Sequence, residues 1–130
     1  MPMRILGIDY GSKRVGVAVS DGQGKFALPV SVILNTADLV AEVAKIARDN
    51  EAREIVLGES RDYAGAPNDI LLGSMDFKKS LEGIGFKVHL EPEFMTSIQA
   101  ERLQGKNAMN DASAAAIILQ SFLDRRNVGV

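Results

Sequence analysis

Asp9 is the residue whose chemistry stands out in this chain. It closes the run Ile5-Leu6-Gly7-Ile8, which carries no charge. An ionised carboxylate among strand-forming apolar residues costs several kcal/mol unless a cation or good hydrogen-bond donors meet it. A metal ion, or a phosphate with its metal, is the partner this chemistry suggests. Period-two alternation puts Ile5, Gly7 and Asp9 on one face of a strand and Leu6, Ile8 and Tyr10 on the other. Gly7 is then expected to clear space beside Asp9, and Gly11 to permit the tight turn that feeds a second strand from Arg14 to Ser20. The alternative is a hairpin whose Asp9 caps the turn through its backbone. A capping aspartate sits in the turn itself, however, whereas Asp9 precedes Tyr10 and still belongs to the apolar run.

One carboxylate does not make a metal site, and two later acids are well placed to join it. Glu93 falls just beyond the carboxyl end of the expected fifth strand, where ligands collect in open α/β sheets. Asp111 opens the last expected helix, and Ala114, Ala115, Ile118 and Phe122 follow on its side, so the acid extends the stripe that packs on the sheet. The alternative is that Asn110 and Asp111 only cap that helix, a contribution of about 1 kcal/mol. Converging on one end of the sheet, Asp9, Glu93 and Asp111 would form an oxygen-only cluster suited to Mg²⁺ or Mn²⁺. The chain has no cysteine, which excludes disulfides and thiolate zinc sites, and its single histidine, His89, reads as a partly exposed strand residue.

The elements that must position these acids follow from periodicity and punctuation. Hairpin strands at about 4–10 and 14–20 lead through the glycine-rich turn Asp21-Gly22-Gln23-Gly24 to a third strand, about 25–32, which Pro29 suits to a sheet edge. Asn35-Thr36 or Asp38 can cap a helix in which Leu39, Val40, Val43, Ile46 and Ala47 recur at helical spacing. The short apolar run Ile55-Val56-Leu57-Gly58 has the form of a parallel strand buried on both faces. A polar loop, 59–68, precedes a helix at about 69–82 carrying Ile70, Leu71, Met75 and Leu81. A fifth strand at about 86–90 is followed by helices at about 96–104 and 110–126. Phe26, Phe77, Phe86 and Phe122 are expected in the core. A meander followed by helix-crossed strands implies an α/β fold with a mixed sheet and helices on its faces.

At 130 residues, 46% hydrophobic and 25% charged, the chain has the length and composition of one globular domain, 1–130. No apolar stretch approaches the roughly 20 residues that span a bilayer, and Met1-Pro2-Met3-Arg4 lacks a signal-peptide pattern, so no membrane partner and a cytoplasmic location are expected. A net charge of -2 gives no general attraction to nucleic acid, which leaves local basic groups to provide any binding.

Three segments together resemble the YqgF (RuvX) family of RNase H-like nucleases, described as Holliday-junction-resolvase-like or as pre-16S ribosomal RNA nucleases. They are Leu6 to Asp21, Glu93-Phe94-Met95-Thr96-Ser97 with Ala100-Glu101-Arg102-Leu103, and Asn110 to Asp124. The resemblance implies an RNase H-like fold: a five-stranded mixed sheet, three antiparallel strands leading and parallel strands after, with helices on both faces. It implies that Asp9, Glu93 and Asp111 match the family's metal-binding, catalytic acids, and that two divalent ions, Mg²⁺ or Mn²⁺, serve an endonuclease that hydrolyses phosphodiesters in precursor 16S rRNA or in Holliday-junction-like branched DNA. Lys13 and Arg14 at the hairpin tip fit the family pattern as phosphate contacts, or form a solvated turn. Thr96 and Ser97 are placed to donate to a phosphate, or simply to cap a helix. The expected assembly is a monomer or weak homodimer.

The chain departs from the family pattern in three places. Pro92-Glu93-Phe94 stands where Asp-Glu-Arg is common, which removes an acid and a cation beside Glu93. Gly58-Glu59-Ser60-Arg61-Asp62 stands where Gly-Leu-Pro is usual, so Glu59 is a further ligand or a repeller of phosphate. The loop Gly105-Lys106-Asn107-Ala108-Met109 keeps only Lys106 as a basic contact. Two other classes fit some of these features: a non-catalytic nucleic-acid-binding regulatory module of the same fold, and an ATP-binding half of the actin or Hsp70 kind. Those ATPases close two such domains around the nucleotide, and this chain has length for one.

Overall fold

Alternation in the first twenty residues pairs β1 (Arg4–Asp9) with β2 (Arg14–Ser20) in antiparallel register, Leu6 facing Val19 and Asp9 facing Gly16. The computed structural model describes residues 4–59, 69–92 and 108–128. β3 (Ala27–Leu34) pairs antiparallel with β2, and β4 (Ala52–Glu59) and β5 (Lys87–Pro92) add in parallel on the other side of β1, giving the order β3-β2-β1-β4-β5. α1 (Leu39–Asp49) and α2 (Asp69–Gly83) lie between strands in sequence, and α3 (Ala108–Val128) closes the chain. The polar loop after β4, from residue 60 to 68, and the helix expected at 96–104 lie outside the described residues.

The sheet divides the core in two. Leu6, Ile8, Val15, Val17 and Val19 pack with Leu39, Val43 and Ala47 of α1 and Phe77 and Leu81 of α2. On the opposite face Ile5, Ala18 and Val56 pack with Ala114, Ala115, Ile118, Leu119 and Leu123 of α3. Helices thus cover both faces, and the stripe on the last helix is buried as its spacing demands. β4 is buried on both sides at Ile55, Val56 and Leu57, which is why it reads as an unbroken apolar run.

Several expectations are corrected in detail. β3 begins two residues later than the sequence suggests, because the Lys25 and Phe26 N–H groups donate to the Asp21 carboxylate rather than joining a ladder. Phe26 is consequently 63% exposed and not a core residue. Pro29 does sit on the edge strand, beside a register shift that leaves Val30 without a partner across β2. Among the described side chains of α2, from Leu72 on, the buried ones are Ser74, Phe77 and Leu81, and Met75 faces outward. Asp38 is the α1 N-cap residue by position but makes no side-chain capping bond; its N–H donates to the Thr36 hydroxyl oxygen at 3.2 Å.

Candidate active site

Asp9 is the last residue of the central strand and is 6% exposed. Tyr10 turns to the opposite face, where its ring lies 5.5 Å from that of Phe77 and its hydroxyl presses on Gly73, whose missing side chain makes the room: a Cβ there would come within 2.6 Å of the Tyr10 oxygen. The turn that follows is fixed from two directions. A Cβ on Gly11 would stand 2.5 Å from the Arg14 carbonyl oxygen, so only glycine fits the bend. Asn35, expected to cap α1, instead holds this turn: its side-chain amide donates to the Gly11 carbonyl at 2.8 Å and its backbone N–H donates to the Lys13 carbonyl at 2.9 Å. Lys13 and Arg14 are thereby exposed on a stapled tip at the same end of the sheet as Asp9.

Gly7 does not open a space beside Asp9; it admits α3. A Cβ on Gly7 would lie 2.7 Å from the Leu119 Cβ and 3.0 Å from the Ala115 carbonyl oxygen, so helix and central strand touch backbone to backbone at this point. α3 runs antiparallel to β1. Its last turns meet the lower end of the sheet, where the Asn127 amide donates to the Gly24 carbonyl at 3.2 Å and Arg126 Nη1 lies 3.7 Å from Oε1 of Glu54, the register partner of Ile5. Going up β1 from Gly7 leads in two residues to Asp9; going back along α3 from Ala115 leads in one turn to the position of Asp111. Both positions therefore lie at the carboxyl end of β1, on the face that α3 covers.

Glu93, Thr96, Ser97 and Lys106 lie outside the described residues, and Asp111 is described as a backbone position on α3. Among the described residues no three histidine or acidic side chains gather to hold a metal. One acid absent from the expected site is conspicuous in the structure. Glu91, 2% exposed on β5, accepts from the Ser121 hydroxyl at 2.9 Å and from the Arg125 guanidinium. It pairs with Gly58, and Leu57 pairs with Ile8, so Glu91 and Asp9 end in the same row of the sheet on either side of a glycine. The alternation Lys87-His89-Glu91 reads as a solvated face; what hides Glu91 is a helix thirty residues later in the chain. His89 on that face is half-buried, with Nε2 at 2.7 Å from Glu54 Oε1 and its ring 4.9 Å from that of Phe122.

A sheet of this order, with a buried aspartate ending its central strand and a closing helix packed over it, has the RNase H-like fold. Solved structures agree: Thermus thermophilus RuvC in complex with a Holliday junction substrate superposes at TM-score 0.59, 18% identical, covering 96% of this chain and 96% of that one. The Fowlpox virus resolvase with its Holliday junction DNA gives TM-score 0.56 at 14% identity, covering 95% and 99%. Residues 3–125 match the family described as RuvX: Holliday junction resolvase, and the chain belongs to that family of nucleases. Sequence relatives bear the name "Putative pre-16S rRNA nuclease": one from Koribacter versatilis is 33% identical, covering 96% of this chain and 89% of its own, and one from Anaeromyxobacter dehalogenans is 36% identical, covering 95% and 98%.

Proposed function

We propose that this chain, acting as one domain, is a metal-dependent endonuclease of the cytoplasm that cuts phosphodiester bonds in precursor 16S rRNA, with Asp9, Glu93 and Asp111 as its catalytic, metal-holding acids. The observation that carries the reading is the burial of Asp9 at the end of the central strand, under the helix whose first turn bears Asp111. The donor chemistry fits a hard divalent cation: carboxylate oxygens only, in a chain without cysteine. Mg²⁺ or Mn²⁺, two ions in the family's scheme, would supply Lewis-acid stabilisation of charge developing on the phosphate. No helix among the described residues is long and apolar enough to cross a membrane.

The protein's own part is positioning. Asp9, carried on a strand locked by Tyr10 below and Gly7 against α3, offers its carboxylate from a site that excludes bulk water, where charge acts more strongly than in solvent. Lys13 on its stapled turn, with Arg14 beside it, contacts flanking phosphates; Thr96, Ser97 and Lys106 add hydroxyl and ammonium donors. Precursor rRNA is preferred as substrate because relatives at 33% and 36% identity carry that name. Branched DNA is the second reading, favoured by the family's description. A non-catalytic module of the same fold is the reading favoured by Pro92 and Phe94 flanking Glu93.

Purified protein assayed with Mn²⁺ or Mg²⁺ on precursor rRNA and on a four-way DNA junction separates these readings. Asp9→Asn is expected to lower cleavage by more than about 100-fold, beyond the loss typical of a ligand's supporting partner, with an unchanged circular dichroism spectrum. Undiminished cutting by the variant would overturn the assignment. Cleavage of neither substrate by the parent would favour the non-catalytic module.

A further inference from the structure

Glu91 is the most deeply buried charged residue among those described, and nothing in the proposed chemistry uses it. Its two oxygens are held separately, one by Ser121 and one by Arg125, residues one turn apart on α3. Arg125 is itself 59% exposed, so the pair sits at the rim of the β5–α3 contact with its acid inside and its base outside. A buried ion pair is weak evidence of stabilisation, since apolar residues of similar volume commonly serve as well. Directionality is what such a pair supplies and an apolar contact does not. With each oxygen committed to its own donor, β5 cannot slide along α3 or roll against it without losing a charge-assisted bond.

The location gives that constraint a use. Glu91 lies two residues before Glu93, in the same row of the sheet as Asp9, and its partners belong to the helix that carries Asp111. α3 is fixed to the central strand at Gly7 by close backbone contact and to the β2–β3 side by Gln120, whose amide oxygen accepts from the Ala27 N–H at 2.9 Å and whose amide nitrogen donates to the Lys25 carbonyl at 2.8 Å; the Glu91 ion pair holds it to the outer strand. Of these contacts the Glu91 pair is the one on the outer strand in the row of Asp9, so it bears most directly on how α3 lies over that part of the sheet. We propose that Glu91 is a positioning residue: with Ser121 and Arg125 it fixes how α3 crosses the sheet, and so sets the separation of the acids that receive the divalent ion. This rests on the metal-site reading above.

The test is Mn²⁺ binding measured by calorimetry on the parent, Asp9→Asn, Glu91→Gln, Arg125→Met and Ser121→Ala, with circular dichroism on each. Glu91→Gln and Arg125→Met are each expected to weaken Mn²⁺ binding by about 10- to 100-fold while folded, the range for groups that orient a metal ligand. The double variant is expected to be no weaker than either single one. Ser121→Ala, which keeps the ion pair, is expected to weaken binding to a smaller degree and serves if the other variants fail to fold. Parental binding in folded Glu91→Gln, or in Ser121→Ala should the others not fold, would overturn the proposal. So would tighter binding in Arg125→Met, because freeing Glu91 would then have released a ligand rather than loosened a clamp. Asp9→Asn separates the two readings: if it binds Mn²⁺ like the parent, the metal site itself is wrong, whereas loss in Asp9→Asn with none in Glu91→Gln removes only the positioning role.

Discussion

At the scale of single residues, Asp9 and Asp21 share a side chain and differ in everything around it. Asp21 stands on the surface between β2 and β3, where one oxygen accepts from the Lys25 N–H at 2.8 Å and the Phe26 N–H at 3.1 Å. Those two donors, Lys25 first, hold its carboxyl below the ordinary aspartate value. Because the folded pKa is depressed, the ionised form favours the folded turn. That stabilisation is present above the unfolded value of about 3.9 and is lost as pH falls through the lower folded value. Asp21→Asn is therefore expected to narrow the drop in thermal midpoint between neutral and strongly acidic solution, read by calorimetry; an identical drop in parent and variant would contradict it. Residues of this kind differ in how far sequence reveals them. Asp9 is legible because a charge interrupts an apolar run. Glu91 and Asn35 are not, because their partners are Ser121 and Arg125 in one case and the Gly11 and Lys13 carbonyls in the other, all distant in sequence.

At the scale of elements, periodicity carries most of the information, because every strand that packs on both faces and every helix that packs on one must repeat its apolar residues. β1, β2, β4, α1 and α3 are read from sequence to within a few residues for that reason. The misplacements occur where a local hydrogen bond competes with the ladder, as Asp21 does at the start of β3, or where an apolar residue is simply left outside, as Phe26 and Met75 are. Glycine 7 is a different lesson. Its alternation reads as space cleared beside Asp9, and only the fold shows that Leu119 and Ala115 of the closing helix take that space. A methyl group there meets a Cβ and a backbone oxygen, neither of which can swing aside. Gly7→Ala is expected to destabilise the protein by about 1–3 kcal/mol, the usual cost of overpacking, seen as a lower urea midpoint at unchanged slope. A variant as stable as the parent would mean that α3 can lift from β1, and its close seating on the central strand would be lost with it.

At the scale of the whole molecule, charge decides how nucleic acid is reached. The net charge of -2 supplies no long-range attraction, so in the reading proposed above affinity comes from a few basic groups at the end of the sheet that carries Asp9. The stapled turn carries one of them, Lys13, on a backbone that Gly11 and Asn35 keep from wandering, and Arg14 follows as the first residue of β2. A phosphate contact made by a lysine releases counterions, and its removal must appear in the salt dependence rather than only in the affinity. Lys13→Ala in an Asp9→Asn background, which keeps the RNA uncut, is expected to bind precursor rRNA more weakly at low salt. The slope of log affinity against log salt is expected to flatten by about 0.7 to 0.9, the value for one lost phosphate contact. Fluorescence anisotropy across a salt series checks both. Weaker binding with an unchanged slope would instead mean that the substitution deformed the turn, and an unchanged affinity would make the tip a solvated loop with the basic groups that hold the strand located elsewhere.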